Sequence, residues 1–421
     1  MKNLLKTLGP GILFASTAIG VSHLIQSTQA GAHFGFTLLW AIILANVFKY
    51  PFFEFGSRYA NATGESIISG YKKLGPAALW IYFLITLVSM FLVTAAVGFV
   101  TSGFMQQLFG LRNTLITVAI VFLICIFILI SDNFKILDRL IKVIAIILLL
   151  STLTAFILVL IKGPLSNVDL MDYGAVDKSA YILFLIPLMG WMPTAIDLST
   201  WNSLWTVERI KESGYHPSLR ETLFDFNLGY IVSALLAICF LTLGAFVMYG
   251  TGTTFSASGV KFSGEVIQLY TTTFGNWAYY LIAISAFSIM FGTCVAVFDG
   301  YSRAMTATIS LLRNKDEQPD KSENNNKRLY RTLLVTISIG AFLLITLFIE
   351  DANGFKGLIN LATSVSFVMA PLIAVFNLIL VQKKYVGEQF VPALWMRVIA
   401  WLGIAFLFLF SILFACKEQF L

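Results

Sequence analysis

Few side chains in this chain combine ligating or titrating chemistry with a place inside an apolar segment. Asp197 is the foremost, following Pro193 by four residues and Met192 by five. An ionisable group at membrane depth is costly and marks a substrate or ion pathway by default. A carboxylate there can offset the dehydration of a cation. The plainer reading is a helix-end residue paired with a hydroxyl. His23, in Gly20-Val21-Ser22-His23, offers an imidazole. Imidazole suits first-row transition metals and can carry a proton near neutral pH. It can also be a hydrogen-bonded structural residue, and the sequence leaves all three readings open. Thr17 and Met189 offer backbone carbonyls, and Gly20 permits close backbone approach. Ser22, Gln26, Asn360 and Thr363 supply polar groups that can line a pathway or bond neighbouring helices.

These residues lie at two interruptions. One apolar stretch runs from Gly9-Pro10-Gly11 to Phe36 and is broken at Gly20 to His23, with Gln26, Ser27, Gln29 and Gly31 beyond. The other, Ile186 to Asp197, is broken around Pro187, Gly190 and Pro193. Freed backbone groups at membrane depth must be satisfied by protein, water or ligand. Paired interruptions therefore point to a substrate site.

The frame around them is a polytopic membrane protein. Of the 421 residues, 58% are hydrophobic and 12% charged, against about 25% charge in soluble domains. Mean hydropathy is +0.84. About 20 mainly apolar residues make a span. Segments 9–30, 35–57, 76–104, 113–131, 140–161, 179–199, 225–249, 276–300, 331–349, 357–381 and 395–416 qualify, which predicts eleven transmembrane helices in one domain covering 1–421. In the second, Lys49 and Glu54 interrupt the run. Glu54 and Arg58 can pair at i,i+4, though the plainer expectation puts both at the interface, as for Asp299 and Arg303. No cleavable leader is expected, since Met1 to Lys6 run straight into the first span. Cys125, Cys239, Cys294 and Cys416 show no metal spacing and read as small apolar residues.

With the N-terminus inside and the C-terminus outside, 22 of the 28 Lys and Arg residues fall on the inner side, as the positive-inside rule requires. The net charge of +6 is therefore an orientation signal, and no nucleic-acid partner is implied. Residues 313–328 read as a polar linker, 201–223 as an amphipathic helix on the inner surface, and 251–275 as an outer loop able to act as a lid. The breaks fall in spans one and six, an offset of five that inverts orientation. That predicts a LeuT-like all-α fold of two inverted five-helix repeats, 1–161 and 179–381, with 395–416 added as an eleventh helix.

The residues resemble the Nramp divalent-metal transporters. The likeness is clearest over 9–64: Gly9-Pro10-Gly11, the turn Gln29 to Trp40, and Asn46, Arg58 and Ala62-Thr63-Gly64 in the second span. Met192-Pro193 resembles the start of the family's Met-Pro-His-Asn motif. By that position Met192 would be a thioether ligand, and the family's His falls on Thr194 and its Asn on Ala195. The family's Asp-Pro-Gly-Asn of span one falls on Gly20-Val21-Ser22-His23, so the metal-binding Asp is missing. Residues 76–104 also hold no Asp, Glu, His, Lys or Arg, where the family has acids linked to proton movement.

The resemblance implies a secondary transporter of the cytoplasmic membrane that moves a metal cation of the Mn, Fe or Mg class by alternating access. Its site is altered, and it is not proton-coupled by the family route. The metal is substrate; no cofactor is implied. Besides that cation and the lipid bilayer no partner is expected, and a monomer is favoured. Two alternatives keep the fold: a carrier of an amino acid or other small organic solute, whose carboxylate would suit half-helix N-termini, and a non-transporting sensor or partner subunit. No nucleophile–base pair or His-Glu-x-x-His spacing argues for an enzyme.

Overall fold

Within lipid, long apolar runs can satisfy their backbone only as helices or closed barrels. The computed structural model is helical, with no strand among the described residues, which are 6–130, 134–166, 168–174, 177–252, 259–313, 323–349 and 354–415. The first span is α1 (Pro10–Ala18), a π-helical segment Val21–Ser27, and α2 (Thr28–Phe34). Then follow α3 (Leu39–Thr63), α4 (Ile67–Leu74), α5 (Pro76–Phe109), α6 (Thr114–Leu129) and α7 (Phe134–Lys162). The sixth span is α8 (Lys178–Trp191), a 3-10 turn Ile196–Leu198, and α9 (Ser199–Ser213). The rest are α10 (Leu219–Val247), α11 (Gly259–Phe274), α12 (Ala278–Arg313), α13 (Glu323–Phe348), α14 (Gly354–Leu380), the short α15 (Lys383–Val386) and α16 (Leu394–Ala415).

Eight helices among the described residues are long and apolar enough to cross a membrane. The expected eleven also needs the broken first span, α3 with its buried charges, and the shorter apolar α6.

The broken first span is the axis of the molecule. It lies along α10, where small residues let backbones meet. A Cβ on Gly11 would stand 1.9 Å from Asp225 O, and one on Gly244 2.0 Å from Thr28 O. The start of α1 is fixed by Asp225, whose carboxylate accepts from Gly9 N at 3.0 Å and Gly11 N at 2.7 Å. These N–H groups have no partner inside the helix, and an anion there also suits the helix dipole.

Several expectations are corrected. The segment from 201 is no separate surface helix: α9 is the second half of the sixth span, and Trp201 and Trp205 are buried. Trp201 packs flat on Gly300 of α12, where a Cβ would meet the indole at 2.2 Å. Within 251–275, α11 is a helix with Phe262, Val266 and Ile267 buried, not a loop; residues 253–258 lie outside the described residues. Glu54 and Arg58 are not at the interface but form a buried pair at 2.5 Å, with Arg58 also donating to Phe390 O. Asp299 pairs with Arg303 as expected, yet is fully buried and also accepts from Trp205 Nε1 and Tyr330 Oη. Of the linker 313–328, residues 314–322 lie outside the described residues, as does Cys416; the other three cysteines are buried.

Candidate functional site

The two interruptions meet. Gly20 (φ −122°, ψ −122°) ends the regular α1 ladder, and the chain restarts as the π-helical turn. A Cβ on Gly20 would lie 2.7 Å from the Thr293 side chain, so its bareness lets the break seat against α12. Thr293 Oγ1 donates to Ser16 O at 2.8 Å. In the sixth span α8 stops at Trp191. Met192 to Ala195 are extended or irregular, with a cis peptide at Met192–Pro193. Ser22 Oγ reaches across to Pro193 O at 3.0 Å and also contacts Ala18 O at 2.6 Å, tying one break to the other.

Asp197 sits in the 3-10 turn that opens the second half-helix, at 5% exposure. Its Oδ2 is 3.5 Å from the Tyr301 hydroxyl, a weak contact. Its Oδ1 is buried with no hydrogen-bond partner among the described residues. Gln26 Oε1 and Trp191 Nε1 are buried in the same condition. A buried polar atom left unpaired costs on the order of 1–3 kcal/mol, more for a charged group. Three such atoms at the two breaks mark a place suited to a ligand or water.

His23 is fully buried with both ring nitrogens engaged. Nδ1 lies 2.7 Å from Ser22 Oγ, and Nε2 lies 2.9 Å from Ser233 O and 3.1 Å from Ser233 Oγ. Nε2 faces a carbonyl and so donates to Ser233 O of α10, and Nδ1 pairs with Ser22 Oγ. The ring joins the first break to α10.

The Met189 carbonyl already accepts from a buried side chain. Lys49 of α3, at 0% exposure, donates from Nζ to Met189 O at 2.6 Å and to Gly190 O at 2.8 Å. These belong to the last turn of α8, where carbonyls lack helical partners. The ammonium therefore stands where a bound cation was expected. No ion pair joins Lys49 to Asp197 among the described residues. Sequence reasoning had taken Lys49 as an inner-side charge that interrupts the second span. The signal that could have found it is a lone lysine in mid-span.

Met192 and Thr194 are buried in the second break; Thr17 is buried and its hydroxyl turns back to Leu13 O. The lining expected of α14 holds poorly. Asn360 is exposed, being in the first two turns of that helix, and the Thr363 hydroxyl bonds to its own backbone at Ile359 and Asn360. No group of three or more His, Cys, Asp or Glu residues able to hold a metal exists among the described residues.

Comparison with known proteins fits this geometry. Residues 11–417 match the family described as natural resistance-associated macrophage protein-like, or Nramp. The chain belongs to the Nramp family. The uncharacterized protein PM0681 of Pasteurella multocida is 36% identical over 416 residues, 98% of this chain and 92% of that one. The divalent metal cation transporter MntH of Levilactobacillus brevis is 22% identical over 316 residues, 72% of this chain and 64% of that one. Among solved structures, the manganese transporter of Eremococcus coleocola in complex with an aromatic bis-isothiourea compound superposes with a TM-score of 0.72 at 15% identity, covering 99% of this chain and 87% of that one. MhsT in complex with L-phenylalanine gives 0.61 at 16% identity, over 96% and 98%. The fold is thus that of the LeuT-like transporters, and this Nramp chain is an integral membrane protein.

Proposed function

We propose that the chain is a secondary transporter that carries a cation between the two helix breaks by alternating access, with Asp197 as counter-ion. One observation carries the reading: Asp197 Oδ1 is buried beside the breaks and unpartnered among the described residues. Kinship makes a metal cation of the Mn, Fe or Mg class the first substrate to test. Met192 and the carbonyl of Thr194 are the remaining donors in the second break. Coupling through the third span is not part of the reading, because α5 has no Asp, Glu, His, Lys or Arg between Pro76 and Phe104. We further read 1–161 and 179–381 as the inverted halves, and the cytoplasmic membrane, N-terminus inside, as the setting.

A second reading is favoured by Lys49. Asp197 and Lys49 together place one negative and one positive charge near the breaks, which matches a small zwitterionic solute such as an amino acid as well as a cation. Uptake into proteoliposomes across Mn, Fe, Co, Mg and Ca, with and without a pH gradient, tests the first reading. Saturable metal uptake that falls roughly tenfold or more in Asp197→Asn is expected, in line with the loss of a single charged partner. Folded protein that moves no metal, but moves an amino acid, would establish the second reading instead.

A further inference from the structure

We propose that Lys49 is a specificity-determining residue: a tethered cation at the carbonyl end of α8 that biases the site against divalent metal ions relative to substrates of lower net charge. The inference rests on the reading that substrate sits beside Asp197. Carbonyls at the ends of interrupted helices are the groups that hold ions in this architecture. Here two of them, Met189 O and Gly190 O, already receive the ammonium at 2.6 and 2.8 Å. Nζ has three N–H groups, so one is left over after these two bonds. Lys49 is wholly buried at the end of the first half-helix, and Asp197 is buried in the 3-10 turn that opens the second.

Charge balance then decides what fits. With Lys49 protonated, Asp197 and Lys49 sum to zero before any substrate arrives. Adding a monovalent cation leaves one uncompensated positive charge, and adding a divalent ion leaves two. Repulsion from the ammonium acts twice as strongly on the divalent ion, and poor screening in a buried site keeps it large. The missing carboxylate at Gly20 removes the other group that could offset it. A purely structural role as a cap for the last turn of α8 would predict a change in melting temperature and none in charge preference.

The test is calorimetric titration of purified, monodisperse protein with Mn2+ and with Na+. It compares wild type, Lys49→Met, Lys49→Gln, Lys49→Arg and Asp197→Asn. Lys49→Gln keeps N–H donors for the two carbonyls while removing the charge, and serves if Lys49→Met does not fold. Removing the charge is expected to tighten Mn2+ binding, or to create it, by roughly tenfold or more, with a smaller gain for Na+. Lys49→Arg should behave as wild type. Mn2+ affinity within about twofold of wild type in the neutral variants, or weaker, overturns the role of Lys49; if Asp197→Asn still abolishes binding, the site reading survives that result. Unaltered binding in Asp197→Asn, or no ion bound by any variant, overturns both.

Discussion

The closest backbone approach at the start of α1 supplies a quantitative test. In Gly11→Ala the new Cβ would lie 1.9 Å from Asp225 O and 2.5 Å from Asp225 C. The contact is reciprocal, because a Cβ on Gly229 would lie 1.9 Å from Gly11 O. An ordinary carbon–oxygen contact is about 3.4 Å, so the backbones must part by roughly 1.5 Å. The obstacle is main chain, and no rotamer change relieves it. The Gly11 N to Asp225 Oδ2 bond, now 2.7 Å, would stretch beyond hydrogen-bonding range. Overpacking costs about 1–3 kcal/mol, and losing a charge-assisted bond adds about 1.5–3 kcal/mol. The expected total is roughly 2.5–6 kcal/mol, confined to the docking of α1 on α10. Thermal unfolding of detergent-solubilised protein reads it, with Gly357→Ala as control. At Gly357 a Cβ would meet only Phe348 Cε1 at 3.8 Å, so that variant should melt at or above the wild-type temperature. Gly11→Ala should melt well below both, and limited proteolysis should cut first near residues 6–20. A Gly11→Ala protein as stable as Gly357→Ala would refute the close-approach argument.

Two further outcomes follow from buried polar groups. Asp299→Asn keeps the shape but removes the charge that faces Arg303, Trp205 and Tyr330; breaking a buried pair of this kind costs about 3–5 kcal/mol, so a marked loss of thermal stability is expected, measured in the same melting assay. His23→Ala removes the brace between Ser22 and Ser233, and should lower stability by about 2–4 kcal/mol while leaving ion selectivity unchanged. A His23→Ala protein that is stable but changed in ion preference would return His23 to the ligand role.

Much of the architecture was legible because lipid leaves the chain few options. Where charge is scarce and apolar residues are continuous, helix is the only open structure that closes its own hydrogen bonds. Gly20 and Pro193 mark where that ladder fails, whereas Pro187 and Gly190, also expected at the second break, stay inside α8, which runs on to Trp191. Element ends were less legible. The sixth span runs on to Ser213 because Trp201 and Trp205 are buried against α12 and Asp299, although their local sequence is mixed with charge. Likewise α11 reads as a polar loop until its buried face is seen against α5 and α12.

The sequence by itself determined a membrane-spanning helical chain with two interrupted spans, and nominated Asp197 and His23 beside them. Those properties depend on composition and local spacing. Partner choice was decided only by the tertiary structure. His23 meets Ser233, 210 residues away, and Lys49 meets Met189 and Gly190, 140 and 141 residues away. No local pattern encodes such pairs: each arises because packing removes water from both groups and leaves the other as the nearest way to satisfy its hydrogen bonds. The same packing turned the lysine that had interrupted a span into a buried cation on the carbonyl end of α8.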